Sequence, residues 1–180
     1  MSIWNEIVRL LQRILRSPEV RRAARRMARE ALGDKSPQRS GPRGRPAADR
    51  PAGKPLRISY SPVDDDKADP GEIVWAWVPF EEDASKGKDR PVLVLAREAG
   101  DLVCLMLTSR DRGRGVHTDR HGNTWGDIGT GPWDKQGRPS EVRINRLLRI
   151  DPDNVRREGA RLDRRRFDLV ADETRRLHRW

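Results

Sequence analysis

A guanidinium and two ammonium groups border one polar loop of the chain and could together hold an anion. Residues 80–89 form this loop, whose tip carries Lys86, Gly87 and Lys88. It is longer than a tight hairpin needs, which favours a binding role. Arg90 follows the loop, and Pro91 biases it toward extended geometry, so its guanidinium is held where the chain re-enters a strand. The guanidinium is a planar donor fork that stays protonated and matches phosphate.

Two histidines are the other residues with chemical potential. His117 and His121 are four residues apart, a spacing that on a helix would bring two metal ligands together. Three glycines within residues 113–122 argue against a helix there, and no Cys or carboxylate pattern completes a site. We therefore expect no metal. The alternative is that either His acts as a base.

The loop must be positioned by the two short apolar runs that flank it, 73–78 and 90–95. Both predict buried strands, and residues 102–108 and 142–150 predict two more. Asp163 is expected to cap a last helix whose apolar face holds Phe167, Val170 and Leu177. Several strands and one closing helix fit a mainly β (α+β) domain over residues 70–180, a small partly open barrel.

Two parts of this domain leave alternatives open. Trp75 and Trp77 share one side of a strand and could either stack on nucleic-acid bases or pack in the core. Residues 110–139 are rich in Gly and Pro and show too little periodicity to assign, although they contain two tryptophans.

The first 69 residues differ in composition from this domain. Residues 1–33 carry apolar side chains at helical spacing and predict an amphipathic, Arg-rich helical extension. It could contact a partner or a membrane surface, or stay loose. Residues 33–70 hold seven of the 13 prolines, so 34–69 is interpreted as a Pro/Gly-rich linker, largely disordered. Residues 56–60 could instead add an edge strand.

Charge and cysteine content narrow the class of protein. The 180 residues are 37% charged and carry a net charge of +10, which favours polyanions as partners. Half of this excess positive charge lies in residues 1–33, which contain eight arginines and three glutamates. The single cysteine, Cys104, excludes an internal disulfide, and no apolar stretch approaches the roughly 20 residues of a membrane span. We expect a cytoplasmic protein.

Several motifs give the domain a family resemblance. They are the strand Gly-Glu-Ile-Val-Trp at 71–75, the loop glycine, the sequence Arg-Pro-Val-Leu-Val at 90–94, and a threonine, Thr108, that ends the strand 102–108. Together they resemble the MazF/PemK toxins of bacterial type II toxin–antitoxin systems, in the form of an actinobacterial-like member with an N-terminal extension. The similarity covers residues 71–178 and leaves residues 1–70 unmatched. It implies an SH3-like, partly open β-barrel with a C-terminal helix.

The resemblance also implies an activity, the sequence-selective cleavage of single-stranded RNA without a metal or other cofactor. In that reaction the ribose 2′-hydroxyl attacks the adjacent phosphate and leaves a 2′,3′-cyclic phosphate and a 5′-hydroxyl. The implied catalytic residues are Arg90, which stabilises the phosphoryl charge, and Thr108, which holds a phosphoryl oxygen or orients the 2′-hydroxyl. The implied RNA-binding residues are Lys86, Gly87, Lys88, Ser109 and Arg110. Without the motif, Arg90 and Thr108 would be interpreted as a surface ion pair and an ordinary strand residue.

The partners implied by the resemblance are mRNA, a cognate antitoxin and a second copy of the chain in a homodimer. The alternative is a non-catalytic module of the same fold that binds RNA or a protein, like the gyrase inhibitors. One departure concerns the fourth strand, where the family usually carries Gln and this chain has Asn145 followed by Arg146. The recognised RNA sequence therefore stays open.

Overall fold

The computed structural model describes residues 44–109 and 115–180, without the side chains of residues 156–159. In these ranges the strands are β1 (Ala48–Asp49), β2 (Glu72–Pro79), β3 (Gly87–Glu98), β4 (Asp101–Thr108), β5 (Val116–Thr118), β6 (Thr124–Gly129), β7 (Ser140–Ile150) and β8 (Val155–Arg161). A 3₁₀ turn, Pro152–Asn154, precedes β8, and one helix, α1 (Arg164–His178), follows it.

The strands form one antiparallel sheet in the order β5-β6-β7-β4-β3-β2-β8, with β1 added on β7. Strands β5 and β8 end this order without pairing to each other in the described part of the chain, so the sheet is open. The predicted class, a mainly β fold with an open sheet and a C-terminal helix, is confirmed. The predicted strands are confirmed as β2, β3, β4 and β7, whereas β5, β6 and β8 were not assigned from the sequence.

Apolar side chains cover both faces of the sheet. On one face, residues such as Leu93 and Ile144 pack under α1 through Phe167, Val170 and Ala171. On the other face, the neighbouring positions of the same strands, such as Val92 and Cys104, form a second buried cluster. This two-sided burial explains why β2, β3 and β4 read as continuous apolar runs rather than as alternating ones. Burial raises the pKa of the Cys104 thiol, which is therefore unreactive.

The helix begins as the sequence predicts. Asp163 is its N-cap, and its carboxylate accepts a hydrogen bond from the backbone N–H of Arg166 at 3.0 Å. Phe167 and Val170 are buried as expected, but Leu177 is exposed, so the apolar face ends before the last turn. No helix in the described ranges is long and apolar enough to span a bilayer.

Strands β3 and β4 form a hairpin whose two ends differ. At one end, Ala99 and Gly100 make a two-residue turn with φ angles of 51° and 89°, the left-handed geometry that matches the twist of a tight hairpin. At the other end β3 leads back to β2 through the polar loop. That loop spans residues 80–86 and is shorter than expected, because β3 begins at Gly87. The candidate residues lie at this second end.

Residues 44–62, which we term the strap, differ from the expected disordered linker. Strand β1 pairs with β7, Leu56 is buried in the core beneath α1, and the Tyr60 hydroxyl donates to the carbonyl of Leu162 at 2.8 Å. The segment turns at residues 52–53 and packs on the sheet largely without ladder pairing. Residues 56–60 form no strand. Residues 1–43, with the predicted helical extension, lie outside the described residues.

Candidate functional site

Arg90 and Thr108 lie at the same end of the β3–β4 hairpin and on the same face. Val92 pairs with Met106 in the ladder. Arg90 precedes Val92 by two residues and Thr108 follows Met106 by two, so the alternation of side chains puts all four on one face. Both Arg90 and Thr108 are half-buried. The two side chains that the motif singles out are therefore brought together by the register of two neighbouring strands.

The loop before Arg90 has a defined local structure. The Asp83 carboxylate accepts hydrogen bonds from the side chain and the backbone N–H of Ser85 and pairs with the Lys86 ammonium at 3.0 Å. The hydroxyl of Ser85, followed by Lys86, lowers the pKa of Asp83 below its usual range. Lys86 is exposed, and Lys88 is exposed on β3 opposite Val78. Both ammonium groups are accessible from solvent, as a polyanion contact requires.

Gly87 has a steric reason to lack a side chain. A Cβ at this position would overlap the carbonyl oxygen of Val78 and come within 2.8 Å of the Trp77 indole nitrogen. Trp77 lies across the start of β3 and is exposed, whereas Trp75 is half-buried and Val78 is buried. Core packing therefore does not account for Trp77, whose indole instead lies against Gly87, where the loop joins β3.

Ser109 follows Thr108 and is half-buried at the end of β4. Arg110, the last of the predicted RNA-binding residues, lies outside the described residues. Three of the residues predicted for the site thus share one end of the hairpin, namely Arg90, Thr108 and Ser109. At that same end, Lys86 closes the loop, and Gly87 and Lys88 begin β3.

Strand β7 adds charged residues to this face that were not among the catalytic and RNA-binding residues predicted for the site. Glu141 pairs with Thr108 across the β4–β7 ladder and is buried, and Arg143 follows two residues later. The Arg143 guanidinium makes a bidentate contact with the Glu81 carboxylate of the loop, at 3.0 and 2.9 Å. The Nε of Arg146 lies 2.8 Å from Asp49 of the strap and 3.6 Å from Glu81.

Arg143 and Arg146 both reach Glu81 because β7 is irregular between them. A regular strand would point residues three apart to opposite faces. Leu105 pairs with Leu147 but Leu107 pairs with Val142, so β7 advances five residues where β4 advances two. The sequence signal for Arg143 was the alternation of Glu141, Arg143 and Asn145 with apolar residues, which marks a polar face. No sequence signal marks the irregularity.

The two histidines have separate environments. His117 on β5 is half-buried, and its Nδ1 lies 3.7 Å from the Glu141 carboxylate. His121 is exposed in the β5–β6 turn, where Arg120 donates a hydrogen bond to its Nε2 at 3.1 Å. In residues 44–109 and 115–180, no three His, Cys, Asp or Glu side chains are grouped so as to hold a metal ion.

Asp119 supports the strand next to Arg143. It accepts hydrogen bonds from the Trp125 indole N–H at 3.0 Å and from the backbone N–H groups of His121 and Asn123. Although burial raises the pKa of this carboxyl, these hydrogen bonds outweigh burial and hold it well below its usual range. Trp125 pairs with Arg143 across the β6–β7 ladder, so the turn fixes one side of the charged face.

Two solved structures are similar to this chain. MazF from Deinococcus radiodurans (Form-I) is similar over 64% of this chain and 100% of its own, with 20% identity and a TM-score of 0.46. The MazE-MazF structure (Form-II) from the same organism gives 63% and 96% coverage, 18% identity and a TM-score of 0.44. None of the curated proteins compared matches the sequence.

The sequence model of one family matches residues 69–177, which is more than half of the chain and includes Arg90, Thr108 and the loop between β2 and β3. The protein therefore belongs to the PemK-like, MazF-like toxins of type II toxin–antitoxin systems.

Proposed function

We propose that this toxin is a metal-independent endoribonuclease that cleaves single-stranded RNA, with mRNA as its substrate, at selected sequences. The observation that carries the proposal is the register of β3 and β4, which supports a joint action of Arg90 and Thr108. Membership of the toxin family supports the same reaction class. The proposed setting is the cytoplasm.

In the proposed reaction the ribose 2′-hydroxyl loses its proton as its oxygen forms a bond to the adjacent phosphorus, and the bond from phosphorus to the 5′-oxygen breaks as that oxygen takes up a proton. The products are a 2′,3′-cyclic phosphate and a 5′-hydroxyl. Negative charge builds up on the phosphoryl oxygens in the transition state, and a fixed donor fork stabilises it without reorganisation. Arg90 supplies that fork, because Pro91 and pairing with Ala76 hold its backbone extended.

Thr108 is proposed to hold a phosphoryl oxygen or to orient the 2′-hydroxyl for in-line attack. Lys86 and Lys88, together with Gly87, Ser109 and Arg110, are proposed to contact the RNA backbone. Ammonium contacts of this kind are salt-sensitive, because each neutralised phosphate releases counterions. A cognate antitoxin that covers the same face, and a homodimer of the toxin, complete the proposal.

The test is cleavage of a long single-stranded RNA in EDTA by wild type, Arg90→Ala and Thr108→Ala, with the product ends mapped. We expect discrete cuts that carry cyclic phosphate. Arg90→Ala should lower turnover about 100- to 1000-fold, and Thr108→Ala roughly 10- to 100-fold, by loss of transition-state contacts. Affinity for a 2′-O-methyl RNA that cannot be cleaved should change much less.

Matched controls are Arg165→Ala on the exposed side of α1 and Thr130→Ala in an exposed loop. Both should cleave like wild type. A folded wild type that binds RNA but makes no cuts would reject the enzyme and favour the non-catalytic binding module. Cuts that require a divalent cation would reject the proposed chemistry.

A further inference from the structure

The loop between β2 and β3 is held to the sheet by ion pairs in which the arginines are buried and the carboxylates are exposed. Arg143 and Arg146 on β7, which we term the arginine floor, have side chains only 10% and 8% exposed. Their partners Glu81 and Asp49 are 45% and 57% exposed. The cations are thus buried and fixed, while the anions that neutralise them sit at the surface.

Because of this difference in burial, another anion can replace the carboxylates, whereas the guanidinium groups are fixed in place. Arg143 is also held by the Asn145 side-chain oxygen at 3.2 Å, and Arg146 donates to the carbonyl of Pro79 at 3.2 Å. Glu81 lies in a surface loop and can return to water at small cost. A phosphate presents the same pair of oxygens to an arginine fork as a carboxylate does.

A cavity of about 180 Å³ opens beside the arginine floor. It is large enough for a phosphate group. Its wall includes Trp180, which stacks on His178 with 5.0 Å between the ring centroids. The Arg50 guanidinium lies over the same indole, 5.4 Å from the ring centroid, so the ring already packs against two side chains of the protein. What the cavity offers a nucleic acid is therefore the guanidinium groups of the arginine floor, which match a phosphate.

The arginine floor lies on the face that carries Thr108. Glu141 pairs with Thr108, and Arg143 is two residues further along β7. Strand geometry places Arg143 roughly 8 Å from Thr108, one strand across and two residues along. This separation is comparable with the spacing of neighbouring phosphates in an extended RNA strand.

We propose that the arginine floor is a phosphate subsite for the RNA strand, next to the scissile phosphate, and that Glu81 occupies it in the free protein. RNA binding then exchanges the Glu81 carboxylate for a backbone phosphate on Arg143. Glu81 lowers the affinity for RNA by competing for the same guanidinium. The inference rests on the proposed function, because it assigns a second contact to the same substrate.

The experiment measures the dissociation constant of a 2′-O-methyl single-stranded RNA by fluorescence anisotropy. Glu81→Gln should bind about 5- to 10-fold more tightly than wild type, because the competing charge is gone. The control is Glu82→Gln, which makes the same charge change at the next, exposed position of the same loop. Glu82→Gln should improve binding less than about 2-fold, because it removes only the long-range repulsion between one surface charge and the RNA.

Arg143→Gln should weaken RNA binding about 10-fold. In the double variant Glu81→Gln/Arg143→Gln, the Glu81 change should no longer improve binding, because both residues act on the same phosphate. Arg143→Lys keeps the charge and loses the fork, so an intermediate affinity is expected even if Arg143→Gln unfolds.

Equal effects of Glu81→Gln and Glu82→Gln would overturn the subsite, and so would unchanged binding by Arg143→Lys. If wild type cleaves RNA and Arg143 has no influence on affinity, only this inference fails. If wild type neither binds nor cleaves RNA, the proposed function fails with it. If Arg143→Lys changed the affinity for an acidic antitoxin peptide but not for RNA, the arginine floor would be assigned to the antitoxin and the RNA subsite would be rejected.

Discussion

The two ends of β7 carry ion pairs with opposite burial. At the end near the β3–β4 turn, the Asp101 carboxylate is 5% exposed, and its partners Arg45 and Arg149 are 65% and 32% exposed. Arg149 lies 2.8 Å from Asp101, and Arg45 makes a hydrogen bond with it from the strap. At the other end, near the loop, Arg143 and Arg146 are buried under exposed carboxylates.

Because the buried partner is the carboxylate at one end of β7 and the arginine at the other, we infer that the first cluster holds the strap to the sheet and the second binds a ligand. Exposed arginines over a buried carboxylate hold the strap to the sheet, and an anionic ligand cannot take their place because it would face Asp101. Exposed carboxylates over buried arginines leave, when displaced, a cationic surface that a phosphate fits. Buried charges are weak evidence for stability in either case, so the sign of the buried group indicates what the cluster does.

The largest effect is expected where Asp101 loses its partners. Arg45→Ala combined with Arg149→Met should reduce the free energy of unfolding by about 3 kcal/mol, because an uncompensated carboxylate stays buried. Arg45→Ala alone should cost less than about 1 kcal/mol, as an exposed partner is screened by water. Urea unfolding at neutral pH measures both.

The matched control for this prediction adds Asp101→Asn to the double variant. Removal of the buried charge should restore most of the lost stability, while cleavage per folded molecule should be unchanged throughout. A triple variant no more stable than the double one would show that Arg45 and Arg149 act through packing of their side chains, and the comparison between the two ends would lose its electrostatic basis.

The sequence predicted the parts of the fold whose signals are local. Continuous apolar runs located β2, β3 and β4, the apolar positions within residues 142–150 located β7, and Asp163 marked the start of α1. Strand β8 was missed because it is a short strand rich in charged residues, at the edge of the sheet that the described residues form, where it pairs with β2. The strap was missed because prolines are typical both of linkers and of extended segments that pack on a sheet.

The candidate site was predictable to the same extent. Arg90 and Thr108 stood out because they end apolar runs within a recognisable motif, and the register then puts them together. Glu81, Arg143 and Arg146 could not be found in this way, since their contacts depend on the irregular stretch of β7 and on the path of the loop. Separations of more than 60 residues leave no local pattern.

A smaller effect is expected at the loop end. Glu81→Gln should lower the free energy of unfolding by about 1 kcal/mol without RNA, because Arg143 keeps Asn145 and an amide oxygen, and Arg146 keeps Asp49. RNA should raise the unfolding midpoint of this variant more than that of wild type, through its tighter binding. Thermal unfolding with and without 2′-O-methyl RNA measures this.

Glu82→Gln is again the control and should leave the midpoint within error of wild type in both conditions. If Glu81→Gln destabilised the protein as much as Arg45→Ala combined with Arg149→Met, the contact between Glu81 and the arginine floor would have a structural role, like the ion pairs of Asp101 near the β3–β4 turn. The two ends of β7 would then not differ in kind.

The smallest effect concerns Asp119, which supports Trp125 opposite Arg143. The pKa of this carboxyl is lower in the folded protein than in the unfolded chain. Its contribution to stability is therefore fully present above the unfolded pKa of roughly 4 and is lost as pH falls through the folded pKa. Asp119→Asn should thus be less stable than wild type at pH 7, and the difference should shrink below about pH 4.

Urea midpoints of wild type and Asp119→Asn at pH 7, 5 and 3 measure this difference, with Asp66→Asn, an exposed aspartate far along the chain, as the control. A gap that stays constant with pH would assign the loss to packing around Trp125 and not to the charge. In that case the loop end of β7 would depend on the shape of the β5–β6 turn alone. RNA affinity of Asp119→Asn would then fall with stability at every pH, whereas an electrostatic support predicts that both effects fade together in acid.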